Sequence, residues 1–219
     1  MEGKMIDTIL DIHTHRQEAD SESKSIINYR LLEDSSFQED CYYSVGIHPW
    51  KLTVANFDRQ LDFLIEQLPN KQVVAIGEAG LDKLTEASMA LQTLAFVMQI
   101  QLSETYGLPL IIHCVKAMEQ LLAAKKRFQP KQPWIWHGFR GKPEQATQLL
   151  KQGFYLSLGE HYPDETMKLI PDERLFLETD ESSLDIEDIL CRAAEVRGVG
   201  VKALRETIRR NIQNVFFKA

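Results

Sequence analysis

The chain has 219 residues, 44% of them hydrophobic and 26% charged, ordinary proportions for a globular protein with enough length to bury one large core. Its net charge of −7 excludes a protein that coats nucleic acid by counterion release, though not one that grips a few phosphates through metal ions. Three widely spaced cysteines, Cys41, Cys114 and Cys191, point to a reducing compartment, and neither a signal-peptide pattern nor an apolar run near the roughly 18 residues of a membrane span is present, so the expectation is a cytoplasmic protein with no membrane partner.

In chain order, the first expected strand is "TILDIH" (8 to 13), which places His13 and His15 at its end. Residues i and i+2 of a strand share a face, so these two imidazoles can converge on one point. A weaker strand, "SIINYRLL" (25 to 32), lies in a segment between His15 and Cys41 that is too short for a full strand and a long helix. Next comes "CYYSVGIH" (41 to 48), ending in His48, then a helix over 56 to 68 with Asn56 as its starting cap. The strand "QVVAIGEAG" (72 to 80) carries Glu78 and leads to a helix over 86 to 106, stopped by Gly107. "LPLIIHC" (108 to 114) ends in His113 and is followed by a helix over 116 to 128. "PWIWHGF" (133 to 139) carries His137, before a helix over 143 to 152 that stops at Gly153. "GFYLSLG" (153 to 159) precedes His161 and a helix over 164 to 170 capped by Asp164. The last strand, "RLFLETD" (174 to 180), ends in Asp180, and helices over 185 to 197 and 201 to 217 close the chain.

Nearly continuous apolar strands alternating with helices indicate a parallel sheet covered on both sides. Eight such units predict an α/β TIM (β/α)8 barrel, shortened or distorted in its second βα unit. An open doubly wound sheet is the alternative, but the glycine-rich loop expected after its first strand is missing. No linker, repeat or low-complexity tract divides the chain, so residues 1 to 219 read as a single barrel domain.

The chemistry-capable residues fall at the carboxyl ends of these strands, where a barrel builds its active site. His13, His15, His48, His113 and His137 are five of the six histidines in the chain, and Glu78 and Asp180 join them. Grouped neutral imidazoles and ionised carboxylates concentrate lone pairs and negative potential that a divalent cation relieves. Six donors, His13, His15, Glu78, His113, His137 and Asp180, exceed the needs of one tetrahedral ion, so two ions sharing a carboxylate are the economical reading. Mixed nitrogen and oxygen donors suit Zn, Mn, Fe or Ni better than Mg.

Taken together, "DIHTH" (11 to 15), "GIHP" (46 to 49), "GEAGLD" (77 to 82), "PLIIHC" (109 to 114), "WHGFRG" (136 to 141), "LETD" (177 to 180) and the tail "RRNIQNVF" (209 to 216) resemble, in order and spacing, the motifs of the TatD family of metal-dependent hydrolases. The resemblance implies a deoxyribonuclease that works from strand ends on nucleic acid with a water activated at two divalent ions. It implies that His13, His15 and Asp180 hold the first ion, that Glu78 bridges, and that His113 and His137 complete the second. His48 would orient the substrate phosphate, and Asp180 would take the proton of the attacking water.

The chain departs from the family where substrate would lie. Val115 and Lys116 stand where an arginine is usual, Gly138 and Arg140 replace a cysteine and a serine, and Glu181 and Ser182 replace Ser-Pro. A carboxylate at position 181 disfavours a polyanion by like-charge repulsion. Arg140, Lys116 and His161 are candidate substrate contacts, each weighed against a simple solvated side chain. Asp11 is expected to support the site without binding metal, and Cys114 to act as a small buried hydrophobe. Two further readings stand beside the phosphodiesterase: a metal-dependent amide or ester hydrolase of a small substrate, and a barrel that binds without catalysis.

Overall fold

The computed structural model describes residues 9–16, 25–32 and 36–217; Thr8, the expected start of the first strand, lies outside them. Eight strands, β1 (Asp11–Thr14), β2 (Ser25–Tyr29), β3 (Tyr42–Val45), β4 (Val73–Asp82), β5 (Leu110–Val115), β6 (Trp134–Trp136), β7 (Tyr155–Leu158) and β8 (Leu175–Leu177), close in chain order into a barrel. The pairings of β1 with β2 and β8, of β3 with β4, of β4 with β5 and of β7 with β8 are parallel. This is the TIM barrel that the alternation of apolar strands and helices predicts.

The helices are α1 (Phe57–Gln67), α2 (Met89–Tyr106), α3 (Met118–Phe128), α4 (Pro143–Lys151), α5 (Asp164–Leu169), α6 (Ile186–Arg197) and α7 (Val201–Phe216). Their caps differ in part from expectation. Asn56 stands at the N-cap of α1 without capping it; its Oδ1 instead accepts from Thr53 N at 2.8 Å and Gln60 Nε2 at 2.9 Å, closing the turn ahead of the helix. Pro163, in an extended conformation, occupies the cap of α5, and Asp164 becomes its first helical residue, where a negative charge favours the positive end of the helix. Ser88 starts α2 by accepting from Leu91 N at 3.3 Å, and Gly107 ends it in the left-handed conformation with φ 72°.

The segment before Cys41 holds the expected weaker strand, β2, and, in agreement with its length, leaves no room for a long helix beside it. What is absent among the described residues 30–32 and 36–41 is a helix. Aromatic side chains supply apolar cover there: Phe37 lies 4.7 Å from both Tyr29 and Tyr43, and Phe63 of α1 stacks on Tyr29 at 6.4 Å. Rings carry enough area to fill such a gap with few residues.

The chain divides into two compact units, one drawn from Met1–Ile27, Glu39–Cys41 and Trp136–Ala219, the other from Asn28–Gln38 and Tyr42–Ile135. In the second, all ten residues of β4 are buried. Two glutamines of α2 seven positions apart, hence on one helix face, bracket backbone there. Gln92 accepts from Asp82 N at 2.7 Å and donates to Asp82 O at 2.9 Å, while Gln99 accepts from Ile47 N at 2.7 Å and donates to Ile47 O at 3.2 Å. In the first unit, the buried Asn211 of α7 donates to Asp172 O at 2.6 Å and Leu175 O at 3.0 Å, tying the closing helix to the start of β8. Among the described residues no helix is long and apolar enough to cross a membrane.

Candidate metal centre

In the first unit, β1 delivers His13 and His15, the residue after β6 is His137, and Asp180 follows β8. His13 is fully buried; its Nε2 lies 3.7 Å from Asp180 Oδ1, and His15 Nε2 lies 3.5 Å from the same oxygen. The His13 and His137 rings are 4.4 Å apart. Backbone pairing sets this arrangement: Asp180 N donates to His13 O at 2.9 Å and His15 N to Asp180 O at 3.2 Å. Asp180 itself takes a left-handed φ of 53°, a conformation that costs a non-glycine residue energy and recurs where function over-determines the backbone.

Two buried carboxylates support this cluster. Glu178 Oε1 accepts from Gly138 N and lies 3.4 Å from His137 Nδ1. Burial pushes the Glu178 carboxyl up, but His137 and His13 beside it, with hydrogen bonds from His137 and Ser157, outweigh burial and hold it below the ordinary range. Asp11 accepts from Thr179 Oγ1 at 2.7 Å, Thr179 N at 3.1 Å and His13 N at 3.1 Å, fastening the "LETD" turn to β1. Burial raises its pKa to about 7, against those hydrogen bonds. Asp11 thus has the supporting place that the sequence suggests.

In the second unit, β4 presents Glu78, the residue after the β3 loop is His48, and β5 carries His113. Glu78 Oε1 meets His48 Nε2 at 3.2 Å and His113 Nδ1 at 3.0 Å. Asn28 grips the same glutamate, accepting from Glu78 N at 3.2 Å and donating to Oε2 at 3.4 Å. His48 Nδ1 accepts from Trp50 N at 3.0 Å, so in the neutral ring the proton sits on Nε2, facing Glu78. Behind His113, Asp82 Oδ2 lies 3.0 Å from Nε2 and accepts from Trp50 Nε1 at 2.6 Å. Burial works against the Asp82 carboxylate, yet the hydrogen bonds from Trp50, His113 and Leu84 N carry its pKa below the ordinary value. Gly80 lets the strands come this close, since a Cβ there would meet His113 O at 1.9 Å.

The donor chemistry fits divalent ions. Donor atoms of His13, His137 and Asp180 lie within 4.8 Å of one another, as do those of His48, Glu78 and His113. His137 turns Nδ1 to Glu178, and His113 turns Nε2 to Asp82; a carboxylate behind an imidazole fixes its ring and raises its basicity as a ligand. Asp82 and Glu178 were not singled out in the sequence. The signal for Asp82 was parity, because Glu78, Gly80 and Asp82 alternate on one face of a single strand. Glu178 carried no comparable signal: it sits one position from Thr179 and two from Asp180, and only the turn after β8 shows that it backs His137.

The other expected residues fall on the periphery. Arg140, Lys116 and Glu181 are exposed, and Val115 is half-buried. His161 is exposed as well, 3.9 Å from Glu160. Cys114 is partly shielded, and burial pushes its thiol up to about 12, which denies it a nucleophile's role. Trp134 is fully buried, in edge contact at 5.4 Å with Phe96 of α2.

Residues 13–217 match the family model described as TatD related DNase. The chain belongs to the TatD family. It is 31% identical over 211 residues to the 3'-5' ssDNA/RNA exonuclease TatD of Pantoea ananatis, covering 82% of this chain and 79% of that protein. With the uncharacterized metal-dependent hydrolase YabD of Bacillus subtilis it shares 33% identity over 159 residues, 68% of this chain and 61% of YabD. Among solved structures, the TatD homolog YjjV of Escherichia coli superposes with a TM-score of 0.78 at 20% identity, covering 98% of this chain and 100% of that one. A TatD-family hydrolase from Entamoeba histolytica gives 0.76, also at 20% identity, over 96% and 98% of the two chains. These two structures share the barrel fold with the chain.

Proposed function

We propose that this TatD-family protein is a divalent-metal-dependent phosphodiesterase that degrades single-stranded nucleic acid from an end. The observation that carries the reading is the donor set: His13, His15, His137 and Asp180 stand near or just past the carboxyl ends of their strands, Glu78 and His113 lie in the carboxyl-terminal halves of β4 and β5, and buried carboxylates stand behind His113 and His137. The exonuclease activity of the Pantoea ananatis relative favours this bond over an amide or small ester, and the complete donor set speaks against a barrel that only binds.

On this reading His13, His15 and Asp180 would hold one ion and His113 and His137 a second, with the Glu78 carboxylate available to both. Such ions polarise phosphoryl oxygens and acidify water at neutral pH. Asp180, partly open to solvent, accepts the proton of the attacking water. His48 keeps a proton on Nε2 through its contact with Trp50 N; that proton faces Glu78 Oε1 and would turn to a phosphoryl oxygen once Glu78 serves the ions, which would position the scissile bond. Arg140 and Lys116, both exposed, attract the strand from outside, and His161 adds a donor at the end of β7. Zn, Mn, Fe, Ni or Mg all suit nitrogen and oxygen donors, the first four better. The free cysteines, Cys41, Cys114 and Cys191, support a cytoplasmic setting.

The test combines metal content with substrate form. Native protein is expected to carry two divalent ions per chain and, with Mn or Mg, to digest linear single-stranded DNA while sparing the circular form. Glu78→Ala and Asp180→Ala are expected to lose that digestion. Digestion by the two variants at the wild-type rate would overturn the proposal.

A further inference from the structure

We infer that Trp50 and Leu84 form a fixed platform for a nucleobase of the bound strand, beside the cluster of His48, Glu78 and His113; this rests on the phosphodiesterase reading above. Trp50 and Leu84 are 60% and 66% exposed, and both stand beside buried polar chemistry. Both are tied to one buried carboxylate. Asp82 Oδ2 accepts from Trp50 Nε1 at 2.6 Å, and Asp82 Oδ1 accepts from Leu84 N at 2.7 Å. The same Asp82 meets His113 at 3.0 Å. Two imidazoles flank the indole, His48 with ring centroids 5.0 Å apart and His113 at 5.5 Å, each nearly perpendicular to it.

These contacts remove the rotational freedom that an exposed tryptophan normally keeps, so little order remains to be imposed when a flat ring settles on it. The indole N–H is already engaged, which leaves the π surface and the Leu84 side chain as the available chemistry. A ring of any base can stack there, whereas a phosphate cannot, and such contacts are the usual means of holding single strands without sequence preference. The platform explains how an acidic chain holds a polyanion: apolar stacking contributes affinity where charge does not. It also gives the Trp50 N–H a second consequence, since moving the platform moves Asp82 behind His113.

Three substitutions and one substrate change test this. With wild type, removing the base of the nucleotide next to the scissile bond is expected to raise KM about tenfold, the size that stacking on an aromatic side chain commands, with a smaller change in kcat. Trp50→Phe keeps a ring and is expected to keep most of that base-to-abasic ratio. Trp50→Gln keeps an N–H donor without a ring and is expected to bring the ratio close to one, and Leu84→Ser to lower it part-way. Rescue by Gln but not by Phe would overturn the inference, because Trp50 would then matter only as the partner of Asp82; so would a ratio near one in wild type. A readout independent of hydrolysis is available, because Trp134 and Trp136, the other two tryptophans, are buried. A single-stranded phosphorothioate oligonucleotide with Mn is expected to quench wild-type fluorescence and to leave Trp50→Gln unquenched, and equal quenching of both would overturn the platform. Wild type that is quenched but hydrolyses neither substrate would defeat the phosphodiesterase reading and leave the platform standing.

Discussion

The two donor clusters are built from the same residue types and held by different forces. Around His13, His15, His137 and Asp180, order comes from backbone: strand-end hydrogen bonds join Asp180 to His13 and His15, and Asp11 clasps the turn at Thr179. Around His48, Glu78 and His113, order comes from side chains: Asn28 on Glu78, Gln99 on the residue before His48, and Gln92 on Asp82. A backbone clasp tolerates changes on neighbouring helices, whereas a side-chain bracket transmits them. Each cluster nonetheless ends in the same device, a buried carboxylate turned to an imidazole, so the difference lies in the frame and not in the chemistry.

The largest effect is expected from removing those carboxylates one at a time. Asp82→Asn keeps an acceptor for Leu84 N but weakens the support of His113, and Glu178→Gln keeps one for Gly138 N but weakens that of His137. Loss of such a partner typically costs about 10- to 100-fold in metal affinity or activity. Calorimetric titration of metal-free protein with Zn is expected to show two binding steps, with Asp82→Asn weakening one and Glu178→Gln the other. If both substitutions weaken the same step, the two clusters do not act as separate halves.

A smaller effect should separate the frames. Gln92→Ala strands the buried N–H and C=O of Asp82, and Thr179→Val strands an oxygen of Asp11; each loss is expected to cost about 1 to 3 kcal/mol of stability. Their metal dependence should differ. Gln92→Ala is expected to lower the affinity of the ion beside His113, because Asp82 loses its seat, while Thr179→Val disturbs the turn that carries Asp180. Urea unfolding followed by metal titration of both variants checks this, and identical metal profiles would remove the distinction between bracket and clasp.

Much of this arrangement was legible in the sequence because its signals are periodic. Nearly continuous apolar runs mark all eight strands, including the weak "SIINY", and a His, Glu or Asp late in such a run stands out against its neighbours. The brackets were illegible for the opposite reason. Gln92 and Gln99 lie within a helix whose apolar residues run nearly all the way round, where a glutamine reads as a surface residue until the partner backbone is known. Asn56 and Asp164 show the same limit at helix starts, since capping residue types also serve turns and first-turn charges. The covering of β2 by Tyr29, Phe37, Tyr43 and Phe63 depends on residues far apart in the chain, and no local pattern announces it.

The smallest expected effect lies outside both clusters and so serves as their control. Glu187 at the start of α6 receives two hydrogen bonds from Arg205 of α7, and those bonds, with the guanidinium charge, hold its carboxyl below the ordinary value despite partial burial. A depressed carboxylate contributes stability above its unfolded pKa, near 4.5, and loses it as pH falls through the folded value. Both side chains are partly open to water, which screens the pair to less than about 1 kcal/mol. Glu187→Gln is therefore expected to lower the denaturation midpoint slightly at neutral pH, with the gap to wild type closing as the solution is acidified below the ordinary glutamate range. Chelator should leave that gap unchanged, unlike the effects of Asp82→Asn and Glu178→Gln. An equal loss at neutral and acid pH would mean that Glu187 contributes through packing and not through its charge, and a gap that moved with metal would mean that the link between α6 and α7 is felt at Asp180.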